Sequence, residues 1–402
     1  MSKINKQRGV KNMKLLAKNV FRPAAFPKHT YVSRKSTDIG IEIDYELRLR
    51  QALKISGCLT SIVGPSKMGK SVLCERVIDF QYLVEVSGAD FTNYLEFWQT
   101  IGAKAGLPMS GQYSQEQQYG EERQQKTENF MLDKDRVMEY FKEHNKVLVL
   151  DDFHYAPEES QLYIAQQLKD AIRRDFKAIV ISLPHRADDA IRKNADLQGR
   201  LSLINIQPWQ LQELEEIARL GFQKLTISIE ERLIERIAVE SLTSPQLMQY
   251  ICLSICTLLD ADEKEITEIP ETILETAFKF TTMNFEYRDV VKVLKDGPYT
   301  RGRERKQFQV KDGHVDLYTL IIQAIAIDPP LMGVTLEELK QRIDSFITDG
   351  PKPDKKAIRD ALAKLQIIID ERENIYKVFE WKDQTLYILD PIFLFYLRWG
   401  SH

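Results

Sequence analysis

The eight residues Gly64-Pro-Ser-Lys-Met-Gly-Lys-Ser71 decide the reading of this chain. Their spacing, G-x-x-x-x-G-K-S, is that of a loop that wraps a polyphosphate in backbone N–H groups. The flanks agree with it. Cys58 to Val63 is a short apolar run rich in β-branched residues, as a buried strand requires, and Val72 to Asp79 reads as a helix. Strand, glycine loop and helix N-terminus together make an anion site. Gly64, Pro65, Ser66, Lys67, Met68 and Gly69 form the cradle, Lys70 reaches the β- and γ-phosphates, and the Ser71 hydroxyl is a Mg²⁺ ligand.

A second element fits the first. Lys146-Val-Leu-Val-Leu150 is an apolar strand that ends in Asp151-Asp152. A carboxylate at the C-terminal end of a neighbouring strand suits the Mg²⁺ of a bound nucleotide, and Asp151 takes that role through a water. Asp152 is then placed to orient the attacking water.

The bulk numbers allow several domains. The chain has 402 residues, and 43% apolar content supports sizeable cores. A net charge of −3 gives no global pull toward nucleic acid or acidic membranes. Cys58, Cys74, Cys252 and Cys256 have no further Cys/His pair to complete a zinc site. They read as reduced core residues, which points to a cytoplasmic protein. No apolar stretch reaches the length of a membrane span.

Residues 1–29 form a basic N-terminal arm, with Lys3, Lys6, Arg8, Lys11, Lys14, Lys18 and Arg22, read as solvated or partner-bound. Its Val10–Val20 part has the pattern of one helix. Residues 30–207 alternate strand and helix, with strand-like runs at Cys58–Val63, Tyr82–Val86, Val147–Leu150, Ala178–Leu183 and Leu201–Ile206. Such alternation means an α/β fold, a parallel sheet covered on both faces, with the nucleotide at the carboxyl ends of the strands. The Gln-rich stretch Gln112–Lys126 reads as an exposed loop. From 208 to 294 helical periodicity replaces the strand signal, giving a helical lid bundle. Residues 295–314 read as a charged linker. Residues 315–402 carry three helices and a β-hairpin, in the order of a winged helix, with a capping-box pattern at Thr335 and Glu338.

This constellation resembles the AAA+ superfamily, in particular its STAND branch and archaeal-type ATPases with a C-terminal winged helix. The resemblance implies a parallel P-loop sheet domain, a helical lid and a winged helix. Thr30-Tyr-Val-Ser-Arg34 looks like the family's box beside the adenine site, with Ser33 where Gly is usual, and it implies a nucleotide role for Arg34. Leu150-Asp151-Asp152 looks like its Walker B element. Ser182 or Arg186, at the end of the fourth strand, stands where the family keeps its sensor-1 polar group. Arg200, ahead of the fifth strand, stands where many members carry an arginine that reaches a neighbouring subunit's γ-phosphate. Pro208 resembles the proline that STAND proteins place at the junction of sheet and helices. Gln246 occupies the place of the usual sensor-2 arginine, and a neutral amide cannot clamp a phosphate as a guanidinium does.

Two functions follow as expectations. The first is a slow Mg-ATPase switch, nucleotide-dependent in its assembly as a homo-oligomer, that acts through a partner or effector protein in signalling or defence. The second is a DNA-binding ATPase of replication-initiation or transposition type. Its support is the third helix of the winged helix, with Lys355, Lys356, Arg359 and Lys364, although Asp354, Asp360, Asp370 and Glu371 offset those cations. His154 and His185 flank the site and have two readings, a structural or capping role, which is favoured, and a sensor of nucleotide or pH.

Overall fold

A computed structural model of the chain describes residues 15–36, 40–91, 96–119, 122–183, 199–300, 302, 304–371 and 377–400, without the side chains of 112–119, 122–130, 154 and 158. The chain divides into two compact units. One is Ser33–Pro208. The other is formed from both ends of the chain, up to Val32 and from Trp209 onward.

The Ser33–Pro208 unit is built on a five-stranded parallel sheet. Its strands are β1 (Leu59–Val63), β2 (Leu83–Ser87), β3 (Val147–Asp151), β4 (Ala178–Ser182) and β5 (Leu201–Asn205). They lie in the order β2-β3-β4-β1-β5. The three inner strands are almost wholly buried, so they read as continuous apolar runs, whereas the edge strands β2 and β5 alternate. The helices of this unit are α1 (Tyr45–Ala52), α2 (Lys70–Val77), α3 (Phe97–Lys104), α4 (Lys134–Glu143) and α5 (Glu158–Arg173). Its core gathers Phe97, Trp98, Phe141, Phe153 and Phe176 around Leu148, Leu150 and Val180.

One expectation is corrected here. The Gln-rich segment is not a loop: Ser110–Tyr119 and Glu122–Met131 pair as an antiparallel ribbon in unbroken register from Ser110↔Met131 to Tyr119↔Glu122.

In the second unit five helices, α6 (Leu211–Leu225), α7 (Glu231–Glu240), α8 (Pro245–Leu258), α9 (Ile273–Thr282) and α10 (Arg288–Asp296), precede a mixed C-terminal part. That part holds β6 (Gln307–Val310), β7 (Gly313–Asp316), α11 (Leu317–Ala326), β8 (Gly333–Thr335), α12 (Leu336–Phe346), β9 (Ile347–Asp349), α13 (Lys355–Glu371), β10 (Phe379–Lys382), β11 (Thr385–Ile388) and α14 (Pro391–Trp399). The sheets are β7-β6-β9 and β8-β11-β10. One hydrophobic core runs from Ala17 through Ile251 and Phe278 to Phe395. Thr335 caps α12 as its sequence suggests: its Oγ1 accepts from Glu338 N (3.3 Å), and Glu338 Oε2 accepts from Thr335 N (2.9 Å).

Two boundary expectations change. The stretch 295–314 is no bare linker, since it carries the end of α10, all of β6 and part of β7. Arg305 holds it in place through Asp316 (2.7 Å), with its guanidinium 4.8 Å from the Tyr318 ring. The N-terminal arm is not merely solvated either. Ala17, Val20 and Phe21 share one face of a helical turn and are buried against α6 and α8. Ala17 N donates to Asp262 (2.6 Å) and Arg22 N donates to Gln249 (3.0 Å). The basic residues before position 15 lie outside the described residues.

A buried ion pair joins the two ends of this core. Arg398 donates to Glu240 (2.7 and 3.0 Å), Asp328 (2.6 Å) and the carbonyl of Ala326 (2.7 Å), and Trp399 Nε1 donates to Glu240 (2.7 Å). Glu240 ends α7, where the helix dipole disfavours an acid, so the guanidinium offsets that cost as well as the burial. All four cysteines are free thiols, and only Cys58 is not fully buried. Among the described residues no helix is long and apolar enough to cross a membrane.

Gly221 explains how the N-terminal segment docks. A Cβ there would lie 2.1 Å from the Phe21 ring, which packs edge-on against Phe222 at 5.1 Å. Gly221→Ala is therefore expected to lower stability, by about 1–3 kcal/mol for an overpacked site. Phe21→Leu in the same chain should recover part of that loss. Denaturant titration of the single and double variants checks this, and additive losses would mean that the two positions do not share one contact.

Candidate functional site

The phosphate loop leaves the C-terminal end of β1, the strand between β4 and β5. Its two glycines serve different ends. Gly64 is needed for close approach, because a Cβ there would meet the Ile206 carbonyl at 2.7 Å. Gly69 is needed for conformation: it sits at φ 85°, ψ 25° as the residue that opens α2, with no neighbour within 4 Å of its missing side chain. Lys67 also takes a left-handed φ of 62°, and Met68 is buried beneath the loop. Pro65 and Ser66 complete the turn.

Lys70 and Ser71 open α2. The Lys70 ammonium folds back over the loop and donates to the carbonyls of Gly64 (3.0 Å) and Pro65 (2.7 Å). It is buried, and burial pushes its pKa down from 10.5 to about 8, against the opposing pull of Asp151 and Asp152. The Ser71 hydroxyl donates to Asp151 Oδ2. Asp151 Oδ1 accepts from the backbone N–H of Asp152 (2.8 Å). Asp152 itself is left-handed, at φ 50° and ψ 40°. Its carboxyl is held above the usual range by partial burial and then by Asp151. Sequence reasoning passed over Glu85 on β2, also raised by burial and by Asp151.

Ser182 ends β4, between β1 and β3, in register with Val63. Its hydroxyl is buried and has no hydrogen-bond partner among the described residues. An orphaned buried hydroxyl beside the loop suits a polar contact with a ligand. Arg186 and His185 lie outside the described residues, as does the side chain of His154.

Arg34 and Pro208 come together just after Ile206, the residue against which Gly64 of the loop packs. The buried Arg34 guanidinium donates to the carbonyls of Gln207 and Pro208 (both 3.0 Å) and stands 5.6 Å from the Tyr45 ring. The pair thus ties the start of this unit to its end. Arg200 is at the other end of the sheet. Its carbonyl accepts from Leu59 N at the start of β1, whereas the loop leaves the far end of that strand. A five-residue strand spans about 17 Å, so Arg200 does not reach the loop of its own chain.

The residues present fit a magnesium nucleotide. A hydroxyl and a carboxylate that touch each other are two oxygen donors converging on one point, as a shared hard cation requires. Asp151 and Asp152 carry excess negative charge for that cation to neutralise.

No family model matches the chain, and no curated protein matches it. Among solved structures it is similar to a Walker-type ATPase of Pyrococcus abyssi, at 14% identity over 88% of this chain and 94% of that one, with a TM-score of 0.47. It is also similar to Cdc6p of Pyrobaculum aerophilum (12% identity, 93% and 94% covered, TM-score 0.44). A third is the RuvB Holliday junction branch migration motor of Thermotoga maritima (12% identity, 85% and 86% covered, TM-score 0.39). These scores are low, and the fold described above stands on this chain's own strand order and contacts.

The Lys70 pKa gives a pH signature. Below pH 8 the folded, nucleotide-free site holds a buried cation that the unfolded chain solvates freely. This destabilising contribution is relieved as pH rises from about 8 to 10.5. A bound polyphosphate restores the proton. At pH 8.5 ATP binding should therefore take up more proton per site than at pH 7. Calorimetry in buffers of different ionisation enthalpy measures this, and equal uptake at both pH values would show that Lys70 is not the group that titrates.

Proposed function

We propose that this chain is a slow Mg-ATPase switch of AAA+ type, close to the STAND branch, that changes conformation or assembly with its nucleotide and acts through a partner protein. One observation carries the reading. Lys70, Ser71 and Asp151, from two strands that are not neighbours, converge at one end of the sheet with Asp152 beside them.

The chemistry follows from those groups. The N-terminus of α2 and the loop N–H groups hold the phosphates. Lys70 exchanges its two carbonyl acceptors for β- and γ-phosphate oxygens, which hold it in the charged form. Magnesium, when bound on Ser71 and Asp151, supplies charge neutralisation at the same phosphates. Asp152 accepts a proton from the attacking water as the water oxygen bonds to the γ-phosphorus. The bond to the β–γ bridging oxygen breaks, leaving ADP and inorganic phosphate. Ser182, buried and unpartnered, is the polar contact for the γ-phosphate in this reading. Gln246 in place of an arginine favours slow turnover.

Arg200 lies a strand's length from its own loop, and its role at a neighbouring subunit's site, and hence a homo-oligomer, rests on the resemblance of its place ahead of the fifth strand. A difference of one γ-phosphate can shift such an assembly only by its differential contacts, and an arginine supplied across a boundary is one.

The alternative is a DNA-binding ATPase. From Leu317 to Ile388 the elements run helix, strand, helix, strand, helix, strand, strand. Apart from β9, which pairs with β6 in the other sheet, this order supports a winged-helix reading. Lys355, Lys356, Arg359 and Lys364 are exposed on α13. Yet Lys355 pairs with Glu337, and Arg359 lies 3.7 Å from Asp360, so half of that cationic face is already answered by acids. This favours a protein partner over a nucleic acid. A salt-sensitive shift of duplex DNA by the full chain, lost in Lys356→Glu/Lys364→Glu, would reverse the order of the two readings.

Hydrolysis tests the switch. Lys70→Ala should abolish ATP binding, and Asp152→Asn should bind Mg·ATP normally but hydrolyse it on the order of 10²-fold more slowly. Arg200→Ala should bind ATP but turn over slowly at every protein concentration. An Arg200→Ala subunit keeps its own loop, and a Lys70→Ala subunit keeps its arginine, so mixing these two variants should restore part of the activity. No recovery, with association confirmed by native mass, means that each subunit works alone.

A further inference from the structure

The geometry points to Gly88 as a positioning residue for hydrolysis: its missing side chain fixes the Asp152–Phe153 backbone and so aims the Asp152 carboxylate. This inference rests on the proposed role of Asp152. Gly88 follows β2 and begins the short turn Gly88–Asp90, held by a reciprocal cap in which Ser87 Oγ accepts from Ala89 N (3.3 Å) and Asp90 accepts from Ser87 N (3.1 Å). Ser87 stands in register with Asp151, so the turn after β2 faces the turn after β3. A Cβ on Gly88 would lie 2.3 Å from the Asp152 carbonyl oxygen and 2.9 Å from Phe153 Cα. Both are backbone atoms, and Phe153 is fully buried behind them, so neither can swing aside as a side-chain tip would.

The conformation of Gly88 is not the reason for glycine, because its φ is not positive. Space is the reason. The unusual backbone is on the other side of the contact, where Asp152 is left-handed with its N–H fixed on Asp151 Oδ1. Asp151 in turn accepts from Ser71. Gly88 therefore closes a chain of contacts that runs from the phosphate loop through the Asp151 carboxylate and the Asp152 backbone to the end of β2. Any side chain at position 88 must push the Asp152 peptide by about 1 Å, and a displacement of that size at a reacting group costs on the order of 10²-fold in rate.

The experiment compares the full chain with Gly88→Ala, Asp152→Asn and the double variant, measuring kcat and KM for Mg·ATP and the melting temperature. Gly88→Ala is expected to lower kcat about tenfold or more with KM within about twofold of the parent. The double variant is expected to be no slower than Asp152→Asn alone, because a misaimed group that is already disabled has nothing left to lose. A parental kcat in Gly88→Ala, or slowing that multiplies with Asp152→Asn, overturns the inference. If Gly88→Ala does not fold, Asp90→Ala loosens the same turn from the surface. It should lower kcat about threefold, again without effect in the Asp152→Asn background, and a parental kcat overturns the inference equally. Failure of the underlying reading looks different: Asp152→Asn itself then turns over at the parental rate.

Discussion

The contact between the Ser71 hydroxyl and the Asp151 carboxylate is the constraint on which the rest of the sheet unit depends. Ser71 belongs to the helix after β1 and Asp151 ends β3, and the whole of β4 lies between those strands. The two groups can meet only if the strands are parallel, end at one level and leave a crevice above β4. The register meets that condition, pairing Val63 with Ser182 and Ser87 with Asp151. Ser182 then lies at the floor of the crevice by construction. On the other side of β1, the pairing with β5 brings Ile206 against Gly64, and the left-handed turn at Asp152 sets its N–H on Asp151.

Electrostatics explains why such a site waits for a ligand. Asp151, Asp152 and Glu85 repel one another, and the latter two carboxyls are raised as a result of burial and that repulsion. Lys70 is a poor remedy, because its own burial favours the neutral form and its protons are spent on carbonyls. A polyphosphate with a divalent cation corrects both defects together. The phosphates give Lys70 anionic partners, and the cation satisfies the acids. Stability and binding are thus coupled at this point: the same charges that cost the empty site favour the filled one.

How much of this was legible in the sequence depends on which physical signal each part uses. The loop was legible because close backbone approach, left-handed turns and phosphate contact each demand a particular residue, so Gly64, Gly69, Lys70 and Ser71 are written in the letters themselves. β1, β3 and β4 were legible because strands buried on both faces become apolar runs. The ribbon from Ser110 to Met131 was not, because a polar, Gln-rich segment shows no periodicity even when its backbone pairs in register. β6 and β7 were hidden in the same way by the charges between Lys295 and Asp312. Phe21 was read as part of a basic arm because the cavity that receives it is made by Gly221, some two hundred residues later. Gly88 was passed over for a related reason: its meaning is a contact with Asp152, and no local spacing announces it. The position of Arg200 shows the limit of resemblance, since sequence placed it before the fifth strand but only the sheet direction puts it a strand's length from its own loop.

The most direct test of the central claim is the dependence of ATP affinity on magnesium, measured by calorimetry in the parent chain and in Ser71→Ala and Asp151→Asn. The account predicts that Mg²⁺ tightens ATP binding about tenfold or more in the parent, and that either substitution removes most of that gain while Lys70 still supports weak metal-free binding. Equal affinity with and without Mg²⁺ in the parent, or a full magnesium effect in both variants, would contradict it.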